Sequence, residues 1–557
     1  MALAGATGAF AQSDDIAQMK AQLAAQQQQI EELRKALANL EAPPQKLAQN
    51  GVWREMISAP DDGARRTLCA PQFSLPKAAK LGEVASITGM ALPPPVTAAL
   101  PVAMPVPAAA SSQLSENADD TPSPLSLKIG DSYLTPVGFM DFTFVGRSTA
   151  LGSGIGSNFG AIPFGNMPQG HLSESSFSTQ NSRIGARFDT KVLGAQVLAY
   201  WESDFLGAAP TNLVVGSNSN TLRMRLFWIQ VMKNRWEILG GQSWTLLTPS
   251  RNGISPLPGD IFYSNDTDTN YQMGLTWARQ SGFRVVWHAT DKIAWAFALE
   301  NPQQYGGGFS GGGTITLPSN LTGPYTNLLN TGGTNTSVPN LAPDFISKIA
   351  FDPQVGGHHI HFEIAGLLSS YKLYNSLTSQ SFTREGAGAA VNSNIALTKS
   401  LSAVENFYYS NGGARYIFGQ GPDLIVNGNG SIGLVRAGST VDGLELQATK
   451  NLLFYGYYGG GYFGKAVATD STNGKPVGYG YAGSSSGNNR TIQELSFGLQ
   501  NTFWKDPKWG QLRLDLQYAY VFRNPWYAAL NASNQATENM VFVNLRYALP
   551  GAAPKLK

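Results

Sequence analysis

Between Glu494 and Leu549 apolar and polar side chains alternate over runs too long for an ordinary soluble sheet, and no other feature constrains the fold as strongly. From Gln511 to Arg523 the residues Leu512, Leu514, Leu516, Tyr518, Tyr520 and Phe522 take every second position, with Gln511, Arg513, Asp515, Gln517 and Arg523 among those between. Successive side chains of a strand point to opposite faces, so this segment has one greasy face and one wet one. Leu495, Phe497, Leu499 and Phe503 repeat the pattern before it, across the polar turn Lys505-Asp506-Pro507-Lys508, as do Val541, Val543, Leu545 and Tyr547 after it. Strands of soluble sandwiches run to about five or six residues. The alternation here lasts about twelve, the length a tilted strand needs to cross a bilayer.

Composition agrees. Only 14% of the 557 residues are charged, against about 25% in a soluble protein. No long apolar run is free of helix breakers: the nearest, Ala91 to Ala110, holds Pro93, Pro94, Pro95, Pro101, Pro105 and Pro107, so spanning helices are not expected. The other backbone solution in hydrocarbon is a closed antiparallel β-barrel, in which every N–H and C=O pairs with a neighbouring strand. Aromatics make up 11%, and ten of the 11 tryptophans follow residue 200, which suits girdles at two interfaces. A net charge of +2 gives no reason to expect nucleic acid, and a single cysteine, Cys69, excludes an intrachain disulfide framework. The fold class is therefore all-β, a transmembrane barrel.

In chain order, residues 1–11 end in Ala9-Phe10-Ala11 and read as the remnant of a secretory signal, with the mature protein expected from about Gln12. Residues 12–42 hold Ile16, Met19, Leu23, Gln26, Ile30, Leu33, Leu37 and Leu40 at alternating spacings of 3 and 4, a heptad stripe ended by Pro43-Pro44. One helix with so narrow a seam has nothing of its own to pack on, so an α-helical coiled coil between copies is expected. Its seam leaves two strands or three open, and a helix lying on its own barrel is the alternative. Residues 43–124 are rich in Pro and Ala and read as a linker, 125–549 as the barrel, and 550–557 as a tail.

Within the barrel segment short polar turns alternate with long Gly-, Ser- and Asn-rich connections. Lys191 to Gly194, Lys233 to Arg235, Thr290 to Lys292 and Asp352 to Gly356 are short, as are the turns at Thr398-Lys399, Lys450-Asn451 and Lys505 to Gly510. The links between are long, the longest running from Glu300 to Pro343. Outer-membrane barrels have this asymmetry, short side in the periplasm. The count is about sixteen strands, an even number that puts the coiled coil in the periplasm, where peptidoglycan is within its reach. Tyr271 to Trp277 breaks the alternation and is expected to form a hairpin inside its loop.

Ser182-Arg183-Ile184-Gly185-Ala186-Arg187-Phe188, Trp201-Glu202-Ser203-Asp204-Phe205, Leu222-Arg223-Met224-Arg225 and Gly240-Gly241-Gln242-Ser243-Trp244 resemble, in that order, motifs of the DcaP-like trimeric porins of Gram-negative outer membranes. Ala298-Leu299-Glu300-Asn301-Pro302 and Ala342-Pro343-Asp344-Phe345 continue the series. The resemblance covers about 125–549 and includes the N-terminal heptads. It implies a homotrimer of sixteen-stranded barrels embedded in outer-membrane lipid, passing small hydrophilic and often anionic solutes such as dicarboxylates, without cofactor. Two features depart from the pattern: the long linker, and a chain that runs past Tyr547 to Lys557 rather than stopping at an aromatic.

The alternation also nominates a lumen. If Ile184, Ala186 and Phe188 face lipid, Arg183 and Arg187 face the pore with Asp189. If Leu222, Met224 and Leu226 face lipid, Arg223 and Arg225 face the pore. Arg284 and His288 share an inner face behind Phe283, Val285 and Trp287, while Glu202 and Asp204 supply carboxylates. Asp260, Asp266 and Asp268 sit in a long connection that could fold inward and narrow the channel. Rings and opposed walls of charge are how pores select. The competing reading is that the arginines only neutralise Glu202 and Asp204. His359, His361 and Glu363 share one strand face, but same-face neighbours lie roughly 7 Å apart and point in parallel, a poor metal site. Gly428 to Gly433 and Gly478 to Gly483 match a nucleotide-loop pattern by glycine abundance alone, and five histidines, with His171 in a loop, give little basis for an enzyme.

Overall fold

The structure, a computed structural model, describes residues 123–550 except 208–219, 258–261, 270–271, 309–311, 327, 333–336 and 529–531. The signal remnant, the heptad stripe from Ile16 to Leu40, the linker up to residue 122, Asp260 and the tail after Pro550 lie outside the described residues.

Sixteen antiparallel strands close on themselves. They are β1 (Ser132–Arg147), β2 (Arg183–Val192), β3 (Ala195–Asp204), β4 (Arg223–Lys233), β5 (Trp236–Trp244), β6 (Arg279–Thr290), β7 (Ile293–Glu300) and β8 (Asp344–Phe351). The second half comprises β9 (His358–Asn375), β10 (Gln380–Ala396), β11 (Leu401–Asn411), β12 (Arg436–Gln447), β13 (Leu452–Phe463), β14 (Asn489–Asp506), β15 (Gly510–Pro525) and β16 (Ala536–Ala548). Each strand pairs with the next in sequence, and β16 returns to β1, Phe139 opposite Ala548 and Arg147 opposite Met540.

The closing seam is shared between pieces. One edge of β1 carries β2 along its first half and the short strand Glu174–Ser178 along its second; the other edge carries Leu127–Ile129 and then β16. The changeover falls at Gly138, whose φ of +145° and close approach to Arg183 leave no room for a side chain: a Cβ there would lie 2.3 Å from the Arg183 carbonyl oxygen. Backbone groups that would otherwise be bare in hydrocarbon are thereby paired.

The outer face is apolar, as the alternation requires. In β7 the side chains of Ile293, Trp295, Phe297 and Leu299 are exposed, while Ala294, Ala296, Ala298 and Glu300 turn inward and are buried. In β15 Leu516 and Tyr518 are exposed and Arg513, Asp515, Gln517 and Arg523 are buried. Trp236, Trp287, Trp295, Trp504 and Trp509 gather on the outside toward the rim of short links, and Tyr409 and Tyr462 toward the other rim. Two aromatic girdles flanking an apolar band mark the hydrocarbon thickness of a membrane barrel.

Short links (193–194, 234–235, 291–292, 397–400, 448–451, 507–509) lie at one rim and long loops at the other. The exception is the β9–β10 turn at 376–379, short although it lies at the long-loop rim, because these strands of 18 and 17 residues project as a ribbon. Two expectations are corrected. Within 272–277 no hairpin forms; Trp277 makes a single parallel bridge to Ile417. Leu226 does not face lipid: a bulge sets Glu202 opposite Leu226 but Ser203 opposite Met224, and this extra residue turns Leu226 inward and Phe227 out, at 57% exposure.

Candidate functional site

The adjacency of β2, β3 and β4 brings Arg183, Arg223, Arg225, Glu202 and Asp204 into one network on the inner wall near the long-loop rim. Arg225 donates from Nε to Glu202 Oε1 at 2.6 Å and from Nη1 to Asp204 Oδ2 at 2.8 Å. Arg223 holds the same Asp204 carboxylate with two prongs, at 2.9 and 2.6 Å. Arg183 reaches Glu202 at 3.4 Å, and Tyr200 donates to the other oxygen of Glu202 at 3.1 Å. A fourth guanidinium joins them: Arg279 and Arg225 both lie over Trp244, 6.0 and 5.8 Å from its ring centre. Four guanidiniums thus face two carboxylates. The side chains of Arg183 and Arg225 are fully buried and that of Arg223 is 10% exposed, so their field is screened little by water.

Arg187 stands apart, in a bidentate pair with Asp189 at 2.7 and 2.8 Å. Arg284 is buried on β6 and donates to the Trp244 carbonyl at 2.6 Å, while His288 pairs with Glu237 at 2.6 Å. Further round the wall the pairs are one to one, Arg513 with Asp515 and Arg546 with Asp141.

The connection after β5 folds into the barrel, as the sequence suggested. It is anchored on the way down: Leu246 N donates to Glu300, Lys348 Nζ donates to Thr248 O at 2.8 Å, Ser250 N donates to Glu363, and Gly253 N donates to Asp352 in the short link 352–357. The loop therefore descends the height of the wall. Arg251 then forms a two-pronged pair with Glu445 at 2.6 and 2.8 Å. On the return Thr267 donates to Gln517, Asp268 accepts from Ser157 Oγ at 2.7 Å, and Met273 N donates to Glu494 Oε2 at 2.7 Å. Thr276 ends the run on Asn406.

What lets this loop lie on the wall is missing side chains. Gly459 on the inner face of β13 sits beneath Met273, and Gly274 lies against Thr440 and Gly460 with φ +96°. The run Gly459-Gly460-Gly461 inside a strand was the sequence signal for a close backbone approach, and alternation counting passed over it.

A second loop, 412–435, folds in beside the first. Trp277 N donates to Tyr416 O at 3.0 Å, and the Trp277 ring stacks on Phe418 at 4.7 Å. Arg415 in this loop pairs with Asp344 on β8 and with Asp423 at 3.0 Å, and it donates to Tyr371 at 2.9 Å. Burial pushes the Asp423 carboxyl up to about 6, with Arg415 pulling the other way. Nothing in the local sequence around Arg415 or Arg251 announced these roles, because loop residues carry no periodicity, and Arg279 stands at the very start of β6, where the alternation has only begun.

His361 lies between carboxylates, Nδ1 2.7 Å from Asp352 and Nε2 3.2 Å from Glu363, while Glu363 also accepts from Lys348 at 2.9 Å. His359 is half-exposed, 3.7 Å from Asp352. These histidines serve a charge network that fastens the inward loop, and among the described residues no cluster of three or more His, Cys, Asp or Glu is placed to hold a metal. Gly428 to Gly433 surrounds the turn of a hairpin, Leu424–Val426 with Ile432–Leu434, and Gly478 and Tyr479 end a second, Ala466–Thr469 with Pro476–Tyr479. Neither glycine pattern opens a helix. His171 hydrogen-bonds the Gly165 carbonyl in an exposed turn.

No family model and no curated protein sequence matches the chain. Solved structures do. The outer membrane channel DcaP of Acinetobacter baumannii, 17% identical, aligns over 76% of this chain and 99% of its own with a TM-score of 0.52. The barrel has the fold of the DcaP channel. The anion-selective porin from Comamonas acidovorans (9% identity, 75% of this chain, 99% of that one, TM-score 0.42) and Salmonella typhi OmpF in complex with daunomycin (10%, 76%, 99%, 0.41) are more distant neighbours.

Proposed function

We propose that the chain is a porin of a Gram-negative outer membrane, a passive channel for small hydrophilic solutes that favours anions. The observation that carries this is the pairing of an apolar, girdled outer face with an inner wall on which four guanidiniums meet two carboxylates. Positive charge in surplus beside a narrowed lumen raises the local concentration of anions and lowers their barrier to entry. Arg223, the least buried of the three that hold Glu202 and Asp204, is the residue of that cluster nearest to contact with solute; Arg183, Arg187, Arg225 and Arg284 act through their field.

The heptads from Ile16 to Leu40 are proposed to join three such chains through a periplasmic stalk, the resemblance to trimeric porins supplying the number. The rival reading is a plugged barrel that serves to anchor that stalk at the cell wall, and one observation favours it: inward side chains such as Trp228, Tyr457 and Phe542 are almost wholly covered. Planar-bilayer recording separates the two. Stepwise ohmic conductance from the purified full-length chain supports the channel, and silence from correctly folded protein supports the plug.

A further inference from the structure

Beside the arginine cluster, at the long-loop rim, lies a cavity of about 260 Å³ bounded by the ends of β5 and β6 and by the loops after β7 and β11. Diffusion alone has no use for it. Side-chain amides supply five of its lining residues, Gln242, Gln280, Gln303, Gln304 and Asn330. Gln304 is occupied within the fold, donating to Leu328 O at 2.9 Å and accepting from Asn330 N at 3.2 Å. Asn330 Oδ1 has no hydrogen-bond partner among the described residues, although its residue is 4% exposed. Arg415 Nε is likewise without one, its other nitrogens being held by Asp344, Asp423 and Tyr371. Arg279 brings a second guanidinium to the lining, and the stacked Trp277 and Phe418 form an apolar side.

A buried acceptor and a buried donor left unsatisfied are each costly, so the site favours a ligand able both to donate and to accept. A fully ionised dicarboxylate only accepts and leaves Asn330 Oδ1 bare. Hydroxyl groups do both, and amides are their natural partners. The Arg279 guanidinium favours a carboxylate in addition, and the volume falls below the roughly 300–1,000 Å³ of drug-sized sites, which limits the ligand to one small unit. We infer that this cavity binds a small polyhydroxylated carboxylate of the sugar-acid type. The inference rests on the channel reading only for how the ligand arrives.

The test titrates the detergent-solubilised full-length protein with D-glucuronate, with D-glucose and succinate as comparators, by calorimetry and by fluorescence of Trp244 and Trp277. Saturable glucuronate binding about tenfold tighter than either comparator is expected, weakened about tenfold by Asn330→Leu and about fivefold by Gln280→Leu. Both variants should keep the heat-resistant mobility of a folded barrel on SDS gels. Succinate binding as tightly as glucuronate, undiminished affinity in Asn330→Leu, or no saturable glucuronate binding would each overturn the proposal. Conductance of the same preparation is read separately. A conducting protein that fails to bind loses the site and keeps the channel; a silent protein that binds keeps the site and loses the channel.

Discussion

Replacing Gly459 with valine should open the lumen. A Cβ at this position would lie 1.9 Å from Met273 O, whereas real Cβ atoms essentially never approach within 3.0 Å, so the loop must lift by at least 1.1 Å. A lift of that size takes the Met273 N to Glu494 bond from 2.7 Å to about 3.8 Å, outside hydrogen-bonding range. Leaving a buried polar group without its partner costs about 1–3 kcal/mol, and both Met273 N and Glu494 would be so left, so the loop loses its anchorage on β14. The strands themselves pair through backbone and should persist. The assay is single-channel conductance of Gly459→Val in a planar bilayer, with barrel integrity followed by SDS-gel mobility. Gly460→Ala is the control, since its Cβ would meet the Tyr458 hydroxyl, the movable end of a side chain, at 2.9 Å. Higher conductance in Gly459→Val and little change in Gly460→Ala are expected. Wild-type conductance from an intact Gly459→Val barrel would refute the idea that the inward loop sets the bore.

Other consequences follow from the same geometry. Arg223→Ala with Arg225→Ala removes two of four guanidiniums and leaves the cluster balanced against Glu202 and Asp204, so the reversal potential in a salt gradient should move toward cations; no movement would remove the pair from the selectivity site. Gly138→Ala forces a side chain at positive φ onto the Arg183 carbonyl and should cost about 1–3 kcal/mol or more, seen as a lower unfolding temperature on heated SDS gels. Asp423 has a folded pKa near 6, above that of a free carboxyl, so its contribution is complete below about pH 4 and is lost as the pH rises through 6. Hydrogen exchange in 412–426, corrected for intrinsic rate, should accordingly quicken between pH 4.5 and 7.5, and Asp423→Asn should flatten the change.

The barrel was legible because one periodicity, two residues, writes itself along every strand, and the alternation of Lys191–Gly194-type turns with long connections carries the topology. Strand ends were less legible. β1 extends to Ser132, before its alternating core, because the seam needs length on both edges, and the bulge at Glu202 reversed the facing of Leu226 without leaving any break in the composition. The inner-wall arginines of β2 and β4 could be read from their positions between apolar residues, but their burial in a shared network with Glu202 and Asp204 could not. Contacts such as Arg251 with Glu445 or Arg415 with Asp344 join residues far apart in sequence, where no local pattern constrains them.

Anion conduction requires an open water column with a surplus of positive charge on its wall. Its most direct test is the zero-current potential of the unmodified full-length protein in a bilayer separating concentrated from dilute potassium chloride. Discrete ohmic steps are expected, with a potential whose sign marks chloride as the more permeant ion. A potential of the opposite sign, or a folded protein that passes no current, would contradict it.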